Sequence, residues 1–135
     1  NFPFQSDSGR LRLESIQNAS EQAKIAAKNI IALRNNQKLQ SYSPIPWFWS
    51  DQGDLKLQMA GVGKLNAKHH VLENQNVGTL TVLHLVDGQL VAIDTLNHGV
   101  NHICGRKLLS YKKPILMDDI KRVKGDLKSL VKELN

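Results

Sequence analysis

Residues 79–96 restrict the fold more than any other part of this sequence. Two apolar, β-branched runs, 79–86 and 89–96, are separated only by Asp87-Gly88. Asp-Gly suits a two-residue turn that needs positive φ, so the two runs are expected to return on each other as an antiparallel hairpin. Further strand signals precede it. Trp47-Phe48-Trp49 is short and aromatic, and Leu55, Leu57 and Met59 alternate with Lys56 and Gln58 as in a half-buried strand. Gly61-Val62-Gly63 breaks that pattern, and residues 69–72 suggest one more short strand. Helices are expected over about 100–110 and 126–134, the second with Leu127, Leu130, Val131 and Leu134 as its apolar stripe. The fold class that follows is α+β, an antiparallel sheet flanked by helices.

One long Ala-rich helix is expected ahead of the sheet, over residues 15–33. Ile16, Ala19, Ala23, Ala26, Ala27 and Ile30 recur at three- and four-residue steps and share one stripe. Small side chains on a buried stripe let a partner backbone approach closely. Ser15 is the expected N-cap, and Asn35 and Asn36 the end. Residues 1–13 suggest a loop leading into an extended stretch. Residues 37–46 are polar, carry Pro44 and Pro46, and suggest a linker. The expected division is 1–36 and 37–135. The chain opens at Asn1 without a methionine, a start that either a fragment of a longer protein or processing would give.

Composition narrows the function classes. No apolar run approaches the roughly 20 residues of a membrane span, and residues 1–10 lack the pattern of a signal peptide. Cys104 is the sole cysteine, so no intrachain disulfide forms and a reducing, cytoplasmic setting is the default. Net charge is +6, much of it late in the chain, from Arg106 and Lys107 to Lys132. A basic surface attracts acidic partners, but these cations have no interleaved aromatics, so nucleic acid is not expected. His98, His102 and Cys104 invite a metal reading, yet Cys104 lies off the face shared by the two histidines, and a structural zinc site wants four ligands. No metal is therefore expected. His84 is read as a sheet residue, His69 and His70 as pointing to opposite faces, and Cys104 as a small buried apolar residue.

Two motifs carry a family resemblance. Arg12-Leu13-Glu14-Ser15-Ile16-Gln17-Asn18-Ala19, with Gln22-Ala23 and Ala26-Ala27, is the first. Pro46-Trp47-Phe48-Trp49-Ser50-Asp51-Gln52, followed by Leu55-Lys56-Leu57-Gln58, is the second. In this order they resemble the carboxy-terminal region of FAD-dependent ferredoxin and rubredoxin reductases of the pyridine nucleotide-disulfide oxidoreductase superfamily. The hairpin around Asp87-Gly88, Asn97, Lys107-Leu108-Leu109 and Pro114 also fit that family's carboxy-terminal domain. The family's two Gly-x-Gly-x-x-Gly motifs and its Gly-Asp motif before the Glu-Ser segment are absent. Gly61-Val62-Gly63 lacks a third glycine and is read as a turn.

The resemblance implies a flavoprotein that oxidises NAD(P)H, carries FAD, and passes electrons to a ferredoxin or rubredoxin. It implies that the helix start at Ser15, Ile16 and Gln17 faces the flavin's pyrimidine edge, where backbone amides would stabilise negative charge. It implies that an indole lies beside the isoalloxazine, with Trp49 favoured over Trp47. Asp51 and Gln52 are expected to organise the adjoining turn. From the residues alone, an N-cap with no cofactor role is the favoured reading of Ser15, and the tryptophans are equally anchors for the sheet. The fragment is expected to lack a complete nucleotide pocket, to be inactive by itself, and to need the missing FAD and NAD domains. A stand-alone, cofactor-free interaction module is the alternative function, and a homodimer through exposed apolar surface is a further expectation.

Overall fold

A computed structural model of the chain describes residues 4–6, 9–72 and 76–135. They divide into two compact units, Asn1–Pro46 and Trp47–Asn135.

In the first unit, β1 (Phe4–Ser6) and β2 (Gly9–Leu11) form an antiparallel ribbon in which Phe4 pairs with Leu11. The sequence suggested only a loop and an extended stretch here. Helix α1 (Ile16–Arg34) follows. Ser15 caps it as expected, its hydroxyl accepting the Asn18 amide at 3.1 Å. The end is a left-handed turn at Asn36 (φ 53°). The amides of Asn36 and Gln37 return to the carbonyls of Leu33 and Ala32, the paired bonds of a Schellman motif. Residues 37–46 have no regular structure but are strapped back along the helix. Asn29 donates to the Gln40 carbonyl at 2.9 Å and accepts the Gln40 amide at 2.8 Å. Gln17 donates to the Ile45 carbonyl at 3.3 Å.

The α1 stripe departs from expectation. Ile16 is 66% and Ile30 68% exposed, and Ala19, Ala23, Ala26 and Ala27 are also open. The buried residues are Gln17, Asn18 and Ala32. Periodicity correctly groups the stripe but does not say what covers it. The returning segment lies against other faces, near Glu21, Ile25 and Asn29.

The second unit is a five-stranded antiparallel sheet in the order β3-β4-β7-β6-β5. Its strands are β3 (Trp47–Gln52), β4 (Leu55–Gly61), β5 (Lys68–Val71), β6 (Leu80–Val86) and β7 (Gln89–Leu96). The hairpin turn has φ of 50° at Asp87 and 78° at Gly88, the two positive values that an Asp-Gly type I′ turn supplies. Leu57 and Met59 are half-buried, as the alternation implied, whereas Leu55 is exposed. Gly61 ends β4 at φ 80°, and a Cβ there would meet the Val91 carbonyl oxygen at 2.3 Å.

Helices α2 (Gly99–Ser110), α3 (Met117–Arg122) and α4 (Leu127–Glu133) complete the unit. Helix α2 lies against β4, β7 and α4. Its Gly105 admits Ile93 so closely that an added Cβ would sit 2.5 Å from the Ile93 Cγ2. The core joins Leu83 and Ile93 of the sheet to Leu108, Ile120, Leu127 and Leu130 of the helices. Leu134, expected in the α4 stripe, is exposed beyond the last turn. Among the described residues no helix is long and apolar enough to cross a membrane.

Candidate functional site

The sequence singled out two sets of residues. Ser15, Ile16 and Gln17 belong to the first unit, and Trp47 and Trp49 to the second. Each set is a local feature of its own unit.

At the start of α1 the first-turn amides have no intrahelical acceptors, and the positive end of the helix dipole lies there. An open groove of about 440 Å³ runs from this end along the exposed stripe, lined by Glu14, Ser15, Asn18, Ala19, Ala23 and Ala26 among others. The alanines keep its floor low, so a flat group can approach the helix backbone. Asn18 steadies the entry by donating to the Leu13 carbonyl at 2.6 Å and accepting from Gln22 at 3.1 Å. The Gln17 side chain turns away from the open side, donating to Glu21 and the Ile45 carbonyl. Ile16 presents an exposed side chain. Ser15 borders the groove, and its hydroxyl is engaged by the Asn18 amide. Glu14 at the rim is ion-paired with Arg12, which reduces its repulsion of an anionic ligand.

In the second unit, the two-residue period of β3 puts Trp47 and Trp49 on one face, as expected. Their rings stack, with centroids 5.3 Å apart and planes inclined at 27°. Trp47 is half-buried against the hydrophobic core, while Trp49 is 41% exposed. Helix α2 completes the cluster. Its His102 and Arg106 are four residues apart and thus share a helix face. The Arg106 guanidinium carbon lies 4.4 Å from the Trp47 ring centre, and the His102 ring meets Trp47 edge-on at 6.0 Å. Nothing in the spacing of the sequence joined Arg106 to Trp47, because a helix and an edge strand far apart in the chain supply them. Gln52 donates to the Ser50 hydroxyl at 3.1 Å, bracing the end of β3.

His102 is 3% exposed, and neither ring nitrogen has a hydrogen-bond partner among the described residues. Burial lowers its pKa below the ordinary imidazole value, and the Arg106 cation adds to the effect. The other histidines have separate tasks. His98 caps α2, its Nδ1 accepting the Asn101 amide at 3.3 Å. His84 contacts Asp94 at 2.8 Å and meets His69 edge-on at 4.6 Å. His70 borders a separate hollow with Leu72 and Ile120, so His69 and His70 do diverge. Cys104 is buried, and burial pushes its thiol pKa up.

Comparison with known proteins places these features in context. The family profile described as "Reductase C-terminal" matches residues 47–131. The rhodocoxin reductase of Rhodococcus erythropolis is 30% identical over 127 residues, which are 94% of this chain and 29% of that protein. The ferredoxin reductase for the CYP199A2 system of Rhodopseudomonas palustris superposes with a TM-score of 0.73 at 30% identity, over 91% of this chain and 29% of that one. The reductase in the covalent putidaredoxin reductase–putidaredoxin complex gives 0.72 at 26% identity, over 97% of this chain and 31% of that chain. The chain thus spans less than a third of the length of these relatives.

Proposed function

Because this chain belongs to the reductase C-terminal family, we propose that it is the carboxy-terminal part of a flavoprotein that passes electrons from NAD(P)H to a ferredoxin or rubredoxin. In this reading residues 1–36 end the FAD-binding domain and 37–135 form the carboxy-terminal domain. The missing FAD and NAD domains of the same chain are its first partners, and the cytoplasm is its compartment. When bound, FAD would accept hydride from NAD(P)H and release electrons singly to the iron–sulfur partner.

The bare stripe of α1 is the observation that carries this reading. A 19-residue helix leaves its Ile and Ala face open, beside a groove that ends at the helix's first turn, the positive end of its dipole. That arrangement fits the edge of a flat anionic ring. The backbone amides at Ser15, Ile16 and Gln17 would face the pyrimidine edge and favour negative charge there. The open face of Trp49 would lie beside the ring system, excluding water on the side from which electrons leave. Trp47 supports it from beneath. The exposed lysines of the helical layer, among them Lys107, Lys112 and Lys113, would steer an acidic partner.

The upstream reading frame provides the test. Extended through it, the protein should carry both dinucleotide-binding motifs, purify with bound FAD and reduce an iron–sulfur acceptor. The 135-residue chain alone should be colourless and inactive. Flavin bound near one per chain in the short form, or an upstream frame without those motifs, would contradict the reading.

The open stripe also supports a second reading, a cofactor-free module that dimerises through Ile16, Ala23 and Ile30. Sedimentation of the short chain, read together with the upstream frame, separates the two. A dimer from a frame encoding nothing upstream favours the module.

A further inference from the structure

We propose that Arg106 is a positioning residue that holds the Trp47–Trp49 stack and so fixes the outward face of Trp49. The proposal deepens the electron-transfer reading and draws its functional consequence from it, but it rests on geometry of its own. Trp49 stands on an edge strand and is 41% exposed, and its observed ring contact is the 5.3 Å stack on Trp47. The orientation of Trp49 is therefore inherited from Trp47.

Trp47 in turn is gripped from α2. Its ring lies under the Arg106 guanidinium at 4.4 Å and beside the His102 edge at 6.0 Å. A guanidinium is planar and weakly hydrated, so it can lie flat on an indole face in a half-buried site where a lysine ammonium would keep its water. The stem of Arg106 comes from a helix that is itself locked. Gly105, next along the chain, is packed directly onto Ile93 of the central strand. The chain of contact runs from the core through α2 to Arg106, then Trp47, then Trp49. The His102 ring nitrogens make no hydrogen bond among the described residues, and the Arg106 cation brings charge to the indole face. A cation–π contact at a partly exposed site shifts the balance between stacked and open rotamers by about two- to fivefold.

The test begins with the unmodified chain. The δ-methylene protons of Arg106 should show the upfield ring-current shift of a group held over an indole. Random-coil values would overturn the proposal. Circular dichroism should show the exciton couplet of two coupled indoles. Arg106→Leu should weaken it by about twofold or more while cooperative unfolding is retained, and Arg106→Lys should fall between. An unchanged couplet in Arg106→Leu would overturn the proposal even with the shift present. In the flavin-loaded full-length protein, Arg106→Leu should slow electron delivery to the iron–sulfur partner and leave flavin reduction by NAD(P)H unchanged. Equal slowing of both, with the couplet lost, upholds the positioning role and refutes the electron-transfer reading.

Discussion

Asn97 and Lys56 are joined by a reciprocal pair of hydrogen bonds: the Asn97 amide donates to the Lys56 carbonyl at 2.9 Å, and the Lys56 amide donates to the Asn97 side-chain oxygen at 2.8 Å. The Asn97 Nδ2 also donates to the Gly78 carbonyl at 3.2 Å. One side chain thus ties β4, β7 and the approach to β6 together, from a backbone at φ 52° that asparagine tolerates better than most residues. Asn97→Ala should destabilise the chain by about 1–2 kcal/mol, since it loses both side-chain bonds and keeps the left-handed strain. Asn97→Gly relieves the strain and should cost less. Urea unfolding of the two variants checks this, and equal losses would show that backbone conformation is not a factor.

His102 makes stability pH-dependent. Its folded pKa is lowered by burial first and by the Arg106 cation second. In the unfolded chain the imidazole regains its ordinary value near 6.5. Below that value the unfolded state binds the proton more readily, so stability is complete above about pH 6.5 and declines as pH falls. Replacing His102 with Leu should flatten this acid limb in a series of urea midpoints. An identical slope in the variant would assign the pH dependence to other groups.

The exposed α1 stripe separates a surface of this chain from a surface of a larger assembly. Ala23→Glu should change the unfolding free energy of the 135-residue chain by no more than about 0.5 kcal/mol, because the position is open. In the flavin-loaded full-length protein the same carboxylate would intrude on the groove along α1 and should loosen FAD severalfold. Flavin titration of the two proteins provides the check. Unchanged affinity would remove the stripe from the cofactor site.

Trp49 should matter to one half-reaction and not the other. In the full-length protein, Trp49→Ala is expected to slow electron delivery to the iron–sulfur partner by about tenfold, equivalent to about 1.4 kcal/mol of barrier. Flavin reduction by NAD(P)H should be little affected. Stopped-flow measurement of each half-reaction decides, and parallel losses would take Trp49 off the proposed route.

What the sequence revealed depends on how local each signal was. Asp87-Gly88 forced the hairpin because the turn chemistry is contained in two residues. Ser15 announced α1 for the same reason, through a cap closed within four residues. Helix α3 gave no such sign. Its N-cap is Leu116, which has no side-chain acceptor, and Asp119 serves instead by accepting the Leu116 amide at 3.0 Å. Its place is set by bonds with the distant hairpin: the Leu90 amide donates to the Ile115 carbonyl and the Met117 amide to the Gly88 carbonyl, both at 2.8 Å. The α1 stripe was legible as a stripe, but burial is a property of neighbours and not of spacing. At the aromatic cluster, strand alternation revealed that Trp47 and Trp49 share a face. The placement of Arg106 over Trp47 arises only when α2 packs across the sheet.

The sheet's outer margin at β5 has a consequence for how the molecule behaves when concentrated. That strand has four residues, all exposed, with Lys68, His69 and His70 leading it. A border so short, led by a lysine and two polar imidazoles, is a poor template for strand addition by another copy. Growth of ordered fibrils from this border is thereby discouraged.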